Sequence, residues 1–315
     1  MERYLVTGGA GFIGSHIAER LAQSGYAVRV LDNFITGREE NLAPFQEGIE
    51  LLRGDIRELN VCQMAVKDVD YVLHQAALPS VPRSIEDPLL TNSINIEGTL
   101  NMLIASRDEG VKRFVYASSS SVYGDDPNLP KKEGAEGNQI SPYAVSKLVG
   151  EKYCQVFSHV YGLSTVCLRY FNIFGPRQDP HSLYAAVIPK FITRLLNGEA
   201  PVVYGDGEQS RDFTYVSNVV DANLDAARAP GLSGAVFNIG CGSRITINAL
   251  VAILLEIMKT DLGPSYEKER PGDVRHSFAD ITLAEKALRY NPQVQIEEGL
   301  VRTVEWFKEQ SQGEK

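Results

Sequence analysis

The sequence predicts an α/β protein: a doubly wound parallel sheet, with a smaller, mostly helical second region woven into it. Three observations predict this. Across the first half of the 315 residues, short apolar runs alternate with helix-period patterns, which is how a parallel sheet with crossover helices reads. A glycine-rich segment, Thr7-Gly8-Gly9-Ala10-Gly11-Phe12-Ile13-Gly14, joins the first apolar run to the first helical pattern. After Asn172 the texture changes to loops and helices.

In chain order, strands are expected at residues 4–7, 27–32, 49–55, 70–77, 113–119 and 165–171. Helices at 11–24 and 88–108 are closed by Gly25 and Gly110, since glycine enters the left-handed region without steric cost. Ser141 is a good N-cap and Pro142 suits the first helical position, so a helix over 141–161 is expected. Further on, Gly175-Pro176-Arg177 and Tyr204-Gly205-Asp206-Gly207 read as loops around a helix at 185–197. A strand at 235–240 and helices at 247–259, 283–290 and 297–310 complete the chain. No internal repeat, low-complexity tract or linker interrupts it.

Hydrophobic content of 43% and charged content of 23% suit a soluble globular protein. The formal charge of −9 argues against nucleic acid or an anionic membrane as partner, because both favour a basic surface. An anionic small molecule would have to be held by local arginines and helix N-termini. Cys62, Cys154, Cys167 and Cys241 have no CxxC pair and no metal-ligand spacing, so reduced thiols and no metal site are expected. Met1-Glu2-Arg3 runs straight into a strand-like segment, leaving no room for a signal peptide. No apolar run reaches the roughly 18 residues of a membrane span. A cytoplasmic protein is expected.

Gly9, Gly11 and Gly14 fit the spacing G-x-G-x-x-G, and Gly8, Gly11 and Gly14 the more open G-x-x-G-x-x-G. An apolar strand precedes them and an amphipathic helix follows, the context a dinucleotide-binding turn demands. There the backbone must turn tightly, approach a pyrophosphate with no Cβ in the way, and aim helix N–H groups at it. Asp32 closes the second strand. A carboxylate there accepts hydrogen bonds from ribose hydroxyls and repels a 2′-phosphate, which favours NAD over NADP. Arg38, a little further on, is a phosphate partner in the competing reading.

Tyr143 and Lys147 should share one face of their helix, one turn apart. A tyrosine ionises near pH 10, so service as a base at neutral pH needs about 4 kcal/mol of help. A lysine ammonium and a positive nicotinamide ring in a dry cleft can supply it. The serines of Ser118-Ser119-Ser120-Ser121 close the fifth strand. At the C-terminal edge of a parallel sheet, where ligands bind, their hydroxyls read as donors to a substrate oxygen.

Taken together, TGGAGFIGSH, the aspartate of LDNF, HQAA, SSSSVYG, SPYAVSK and RYFNIFGPRQ resemble the extended short-chain dehydrogenases/reductases of the nucleotide-sugar epimerase branch. The resemblance runs from Arg3 to about Phe307. It implies a Rossmann-type NAD-binding domain of residues 1–172 plus about 211–240. About 173–210 plus 241–315 would form the UDP-sugar-binding region. Tyr143 would take the sugar 4-hydroxyl proton, Lys147 would lower its pKa and bind the nicotinamide ribose, and Ser119 would bond the reacting oxygen. Bound NAD would contact Gly8, Gly11, Phe12, Ile13 and Gly14, then Asp32, Asn33 and Gly37. The adenine would meet Asp55 and Ile56, while Gln75, Ala76, Ala77 and Tyr170 would lie beneath the cofactor. For the UDP-sugar, Asn172 would meet the diphosphate, Tyr204 would pack near the uracil, and Val187 would line the site. Arg211 and Arg270 would clamp the diphosphate, and Asp273 would lie near the nucleotide ribose.

The implied reaction is C4 epimerisation: transient oxidation to a 4-keto sugar, turnover of the sugar, and return of hydride to its other face. Relatives that dehydrate or decarboxylate resemble the chain but carry an acid just before the Val-Tyr-Gly; here Ser120 and Ser121 precede Val122. Ser80, Gln178 and Ser277 resemble the pocket of enzymes handling UDP-N-acetylglucosamine and UDP-N-acetylgalactosamine, with UDP-glucose and UDP-galactose as a second pair. In strict galactose enzymes the position of Ser277 resembles a tyrosine. Solvated loop roles for Ser80 and Gln178 are the competing reading, and Pro79 stands where the family often has glycine. The alternative substrate is UDP-glucuronate, though those relatives tend to have threonine at Asn172. A non-catalytic NAD-binding sensor is the alternative of another class; such proteins have typically lost the tyrosine or lysine. The resemblance also implies a homodimer through helices 88–108 and 141–161, whose apolar residues equally suit burial against the protomer's own sheet.

Overall fold

The computed structural model describes residues 1–180, 186–269 and 274–313. Seven strands form the central sheet: β1 (Arg3–Thr7), β2 (Ala27–Asp32), β3 (Ile49–Arg53), β4 (Tyr71–His74), β5 (Arg113–Ser119), β6 (Thr165–Tyr170) and β7 (Ala235–Ile239). Their order is β7-β6-β5-β4-β1-β2-β3 and every pairing is parallel. Strand order therefore reverses between β1 and β4, the switch point where a doubly wound sheet opens a crevice.

Both faces of the sheet are buried except at the edge strand β3, which is why the other strands read as nearly continuous apolar runs. On one face Tyr4 and Val6 pack with Ile17 and Leu21 of helix α1 (Phe12–Gln23) and with Val219 of the helix Val216–Arg228. Leu5 points the other way, into a core with Val61, Met102, Leu103 and Phe157. A third apolar cluster gathers Phe174, Phe191, Phe213, Leu250, Leu300 and Phe307 in the helical region. Small strands lace that region: Ser210–Arg211 lies between Ile245–Thr246 and His276–Ser277. The outer faces of the helices expected to form a dimer carry exposed Leu89, Val156 and Val160.

Several expectations are refined. The expected strand 70–77 ends at His74, because the next two N–H groups turn back to Thr7: Gln75 N donates to its carbonyl at 3.1 Å and Ala76 N to its hydroxyl at 3.2 Å. The helix expected at 88–108 contains a π-helical turn, Ser93–Glu97, before Gly98–Glu109. The helix Val216–Arg228 was not anticipated. Its buried face carries Asn218 and Asn223, which dilute the apolar period; both are paired, Asn218 Nδ2 with the Val294 carbonyl at 2.8 Å and Asn223 Nδ2 with the Tyr170 hydroxyl at 2.8 Å. Leu59–Val66 and Val81–Glu86 are also helices, each too short for period alone to reveal. Among the described residues no helix is long and apolar enough to cross a membrane.

A very close backbone approach lies at the first crossover. A Cβ at Gly14 would stand 2.1 Å from the Gly8 carbonyl oxygen. Gly14→Ala is therefore expected to destabilise the protein by about 1–3 kcal/mol, the usual cost of overpacking. Thermal unfolding checks this, and a variant that melts with the parent would show that the turn opens freely.

Candidate active site

Thr7, Asp32, His74, Ser119 and Tyr170 all end strands of the central sheet, so their side chains collect at its C-terminal edge. Gly8 begins the turn at φ +66°, where a Cβ would meet the Ala76 backbone N at 2.7 Å. Gly11 then donates its N–H to the Gly8 carbonyl at 3.1 Å and starts α1. No side chain caps that helix. Phe12, Ile13 and Gly14 form its first turn, whose N–H groups have no intrahelical acceptor and favour an anion. The cradle fits a dinucleotide: small where backbone approaches, and positive where a pyrophosphate would lie.

Asp32 is held on both oxygens, accepting from Ala10 N at 2.9 Å and Phe34 N at 2.8 Å. Burial raises its pKa and those two amides oppose the rise. A Cβ at Gly37 would stand 2.8 Å from the same carboxylate. Nearby, Asn33 Nδ2 donates to Asp55 at 2.8 Å. Hydrogen bonds from Arg57 pull Asp55 down to about 2, so that acceptor stays charged. Ile56 is buried against Gly98.

Ser141 accepts from Ala144 N at 3.1 Å and Pro142 opens the helix Pro142–Tyr161 as expected. Lys147, 4% exposed, donates to the Ala117 carbonyl at 2.8 Å. Its ammonium lies 5.0 Å from the Tyr116 ring centre and 6.0 Å from that of Tyr143. Burial lowers the Lys147 pKa to about 8. Burial raises that of Tyr143, while the facing Ser119 side chain lowers it. In the protein alone the phenol is therefore neutral, and it needs added positive charge to act as a base. Ser119 Oγ accepts from Ser121 N at 3.1 Å, which leaves its O–H to donate.

A buried relay ties the two halves of this site together. Ala76 N donates to Thr7 Oγ1 at 3.2 Å, and the Thr7 hydroxyl bonds His74 Nδ1 at 2.7 Å. His74 Nε2 meets Thr99 Oγ1 at 3.1 Å, and Thr99 donates to the Asn95 carbonyl at 2.7 Å. That sequence of donors requires the Nε2–H tautomer of His74. Burial pulls the ring down to about 3, so it stays neutral. Asn95 Nδ2 then donates to Ser146 Oγ at 3.0 Å, and Ser146 donates to the Tyr143 carbonyl at 2.8 Å. A second buried set fixes Gln75: the Tyr170 hydroxyl donates to Gln75 Oε1 at 3.1 Å, and Gln75 Nε2 donates to Asn223 at 3.0 Å. Ala77 follows in the same turn.

Asn172, Val187, Tyr204 and Arg211 meet at a cavity of about 280 Å³, together with Phe191 and Phe213. Asn172 adopts φ +41°, a conformation asparagine tolerates, and its carbonyl accepts from Thr214 N at 3.2 Å. Ser277 is registered beside Arg211, and its carbonyl accepts from Asp212 N at 3.0 Å. Gln178 Nε2 donates to the Ile173 carbonyl at 3.1 Å, while its buried Oε1 has no partner among the described residues. Ser80, expected in a loop or on the sugar, caps the helix Val81–Glu86 by accepting from Arg83 N at 3.2 Å. Arg270 and Asp273 lie outside the described residues. Ser118, expected with its neighbours to donate to a substrate oxygen, is buried and donates to Glu151 instead. Sequence reasoning missed Glu151 and Arg169, which complete that buried polar set beneath Lys147; the signal present was a glutamate four residues after that lysine.

The model of the NAD dependent epimerase/dehydratase family matches residues 4–240. A solved UDP-N-acetylglucosamine 4-epimerase from Methanobrevibacter ruminantium, in complex with UDP-N-acetylmuramic acid, is 44% identical, with a TM-score of 0.94 over 98% of this chain and 99% of that one. The UDP-glucose 4-epimerase of Thermotoga maritima, solved with UDP-glucose, is 40% identical, with a TM-score of 0.93 over 98% of this chain and 99% of that one. A putative UDP-glucose 4-epimerase of Methanocaldococcus jannaschii is 40% identical over 310 residues, 96% of this chain and 98% of the relative.

Asp32→Asn is expected to loosen the Ala10 and Phe34 contacts, each charge-assisted bond contributing about 1.5–3 kcal/mol. It should also relax discrimination against a 2′-phosphate. Titrating NAD and NADP separately checks this, and an unchanged preference would move selectivity elsewhere.

Proposed function

The chain belongs to the NAD dependent epimerase/dehydratase family, in its UDP-sugar 4-epimerase branch, and we propose that it interconverts UDP-N-acetylglucosamine and UDP-N-acetylgalactosamine, with UDP-glucose and UDP-galactose as a second pair. One observation carries the reaction: a half-buried tyrosine and a buried lysine one helical turn apart, facing a serine at the strand edge beside a dinucleotide cradle. When bound, NAD supplies a hydride acceptor at C4 of the sugar and a positive charge in the cleft. Tyr143 takes the 4-hydroxyl proton and later returns it. Lys147 makes that proton transfer feasible by placing an ammonium beside the phenol. Ser119 donates to the reacting oxygen and holds it in line. Asn172, Tyr204 and Arg211 hold the nucleotide end, so the sugar can turn about its diphosphate link while the UDP stays anchored.

The choice of sugar rests on side chains. Ser277 stands at the position that in strict galactose enzymes resembles a tyrosine, and it is registered beside Arg211, which lines the cavity. The buried Oε1 of Gln178, without a partner among the described residues, can accept a hydrogen bond from the N–H of an acetamido group. Similarity to a UDP-N-acetylglucosamine 4-epimerase supports the same reading. Rates measured with UDP-N-acetylglucosamine, UDP-glucose and UDP-glucuronate test it; a dominant rate on the uronate overturns it.

Tyr143→Phe is expected to fold and bind NAD, yet to lose about 10²–10⁴ in turnover, the worth of a positioned acid–base group. Retention of most activity would remove Tyr143 from the chemistry.

Ser277→Tyr is expected to depress kcat/KM for UDP-N-acetylglucosamine while sparing UDP-glucose. A clash of about 3 kcal/mol would shift the ratio of the two about a hundredfold. A parallel fall for both substrates would mean that the residue supports the fold and does not choose the sugar.

A further inference from the structure

Beneath the reacting pair lies a charged cluster that no step above uses. Glu151 is 1% exposed and sits one turn beyond Lys147 on the same helix. Its Oε1 accepts from Ser118 Oγ at 2.5 Å and from Arg169 Nε at 2.8 Å, and its Oε2 from Arg169 Nη2 at 2.7 Å. Arg169 is 2% exposed and also pairs with Glu136, on the loop that follows β5. Two carboxylates thus share one guanidinium, leaving an excess of one negative charge.

The nearby cation in need of that charge is Lys147. Its ammonium donates to a neutral carbonyl, lies against the rings of Tyr116 and Tyr143, and makes no ion pair among the described residues. Of the other titratable groups around it, His74 on β4, Tyr116 on β5 and Cys167 on β6 are held neutral by burial, and Cys154 faces it from its own helix. Burial pulls the Lys147 ammonium toward deprotonation and Glu151 pushes back. Residues four apart on a helix are neighbours, and in a dry interior a unit charge acts over that distance.

We propose that Glu151, held by Ser118 and Arg169 and joined through Arg169 to Glu136, is a positioning residue: its cluster is the buried counter-charge that keeps Lys147 an ammonium and anchors the strand end that carries Ser119. The proposal rests on Tyr143 and Lys147 being the acid–base pair. Removing one negative charge disfavours a nearby cation and favours a nearby anion, so the pKa values of Lys147 and Tyr143 both fall. In turnover against pH, the acid limb reports Tyr143 losing its proton and the alkaline limb reports Lys147 losing its own. Both limbs should therefore move toward acid.

The experiment is kcat against pH for the NAD-loaded protein with the sugar it turns over, beside thermal unfolding. Glu151→Gln is expected to move both limbs acidward by about 0.5–1 pH unit, and Glu136→Gln, one ion pair further out, in the same direction by less. Glu136 is partly exposed at the outer end of the cluster, so its variant decides the matter even where Glu151→Gln does not fold. Ser118→Ala removes a hydrogen bond without a charge and should lower the melting temperature with the limbs in place. Glu151→Asp should restore them. Lower rates or melting temperatures with both limbs unmoved in the two Gln variants would overturn the proposal. If Tyr143→Phe is inactive in that case, the acid–base reading survives; if Tyr143→Phe keeps its rate and profile, both fall together.

Discussion

The contact between the first helix and the turn before it sets the geometry on which the rest depends. Helix α1 can start beside the Gly8 carbonyl only because position 14 has no side chain. That closeness brings the uncapped helix start to the switch point between β1 and β4. It also seats Ala10, whose N–H fixes the carboxylate of Asp32. One absent Cβ thereby places both the uncapped helix start and the Asp32 carboxylate.

From that corner, order spreads through buried polar groups as much as through apolar packing. The relay from Ala76 through Thr7, His74, Thr99 and Asn95 to Ser146 crosses two strands and two helices and ends on the Tyr143 carbonyl. A neutral histidine with one required tautomer is costly to misplace, since an unmet bond in a dry interior has no water to replace it. The glycine turn and the helix that carries Tyr143 and Lys147 are consequently held in one register. The Glu151–Arg169 pair does similar work on the other side of Lys147, with charge as well as direction.

Much of this was legible in the residues. The alternation of apolar runs located all seven strands of the main sheet, because strands buried on both faces have no other pattern available and only the edge strand β3 departs from it. Ser141 and Pro142 open the helix that carries Tyr143 and Lys147, following the local rules of helix starts. The helix Val216–Arg228 escaped because Asn218 and Asn223 occupy core positions and are paid for by partners 76 and 53 residues away. Glu151 escaped for a like reason: charged residues on helices usually face water, and only the distant Arg169 shows that this one does not.

By itself the sequence determined what local chemistry can write: the strand and helix pattern, the glycine turn, the caps, and the one-turn spacing of Tyr143 and Lys147. Only the tertiary structure decided which polar groups are buried and who partners them. It seated Ser277 beside Arg211, left one end of the Gln178 amide unpaired among the described residues, and placed an excess carboxylate beneath a buried ammonium. The physical reason is that burial and long-range pairing depend on distances between segments far apart in the chain, and those distances exist only after the core has closed.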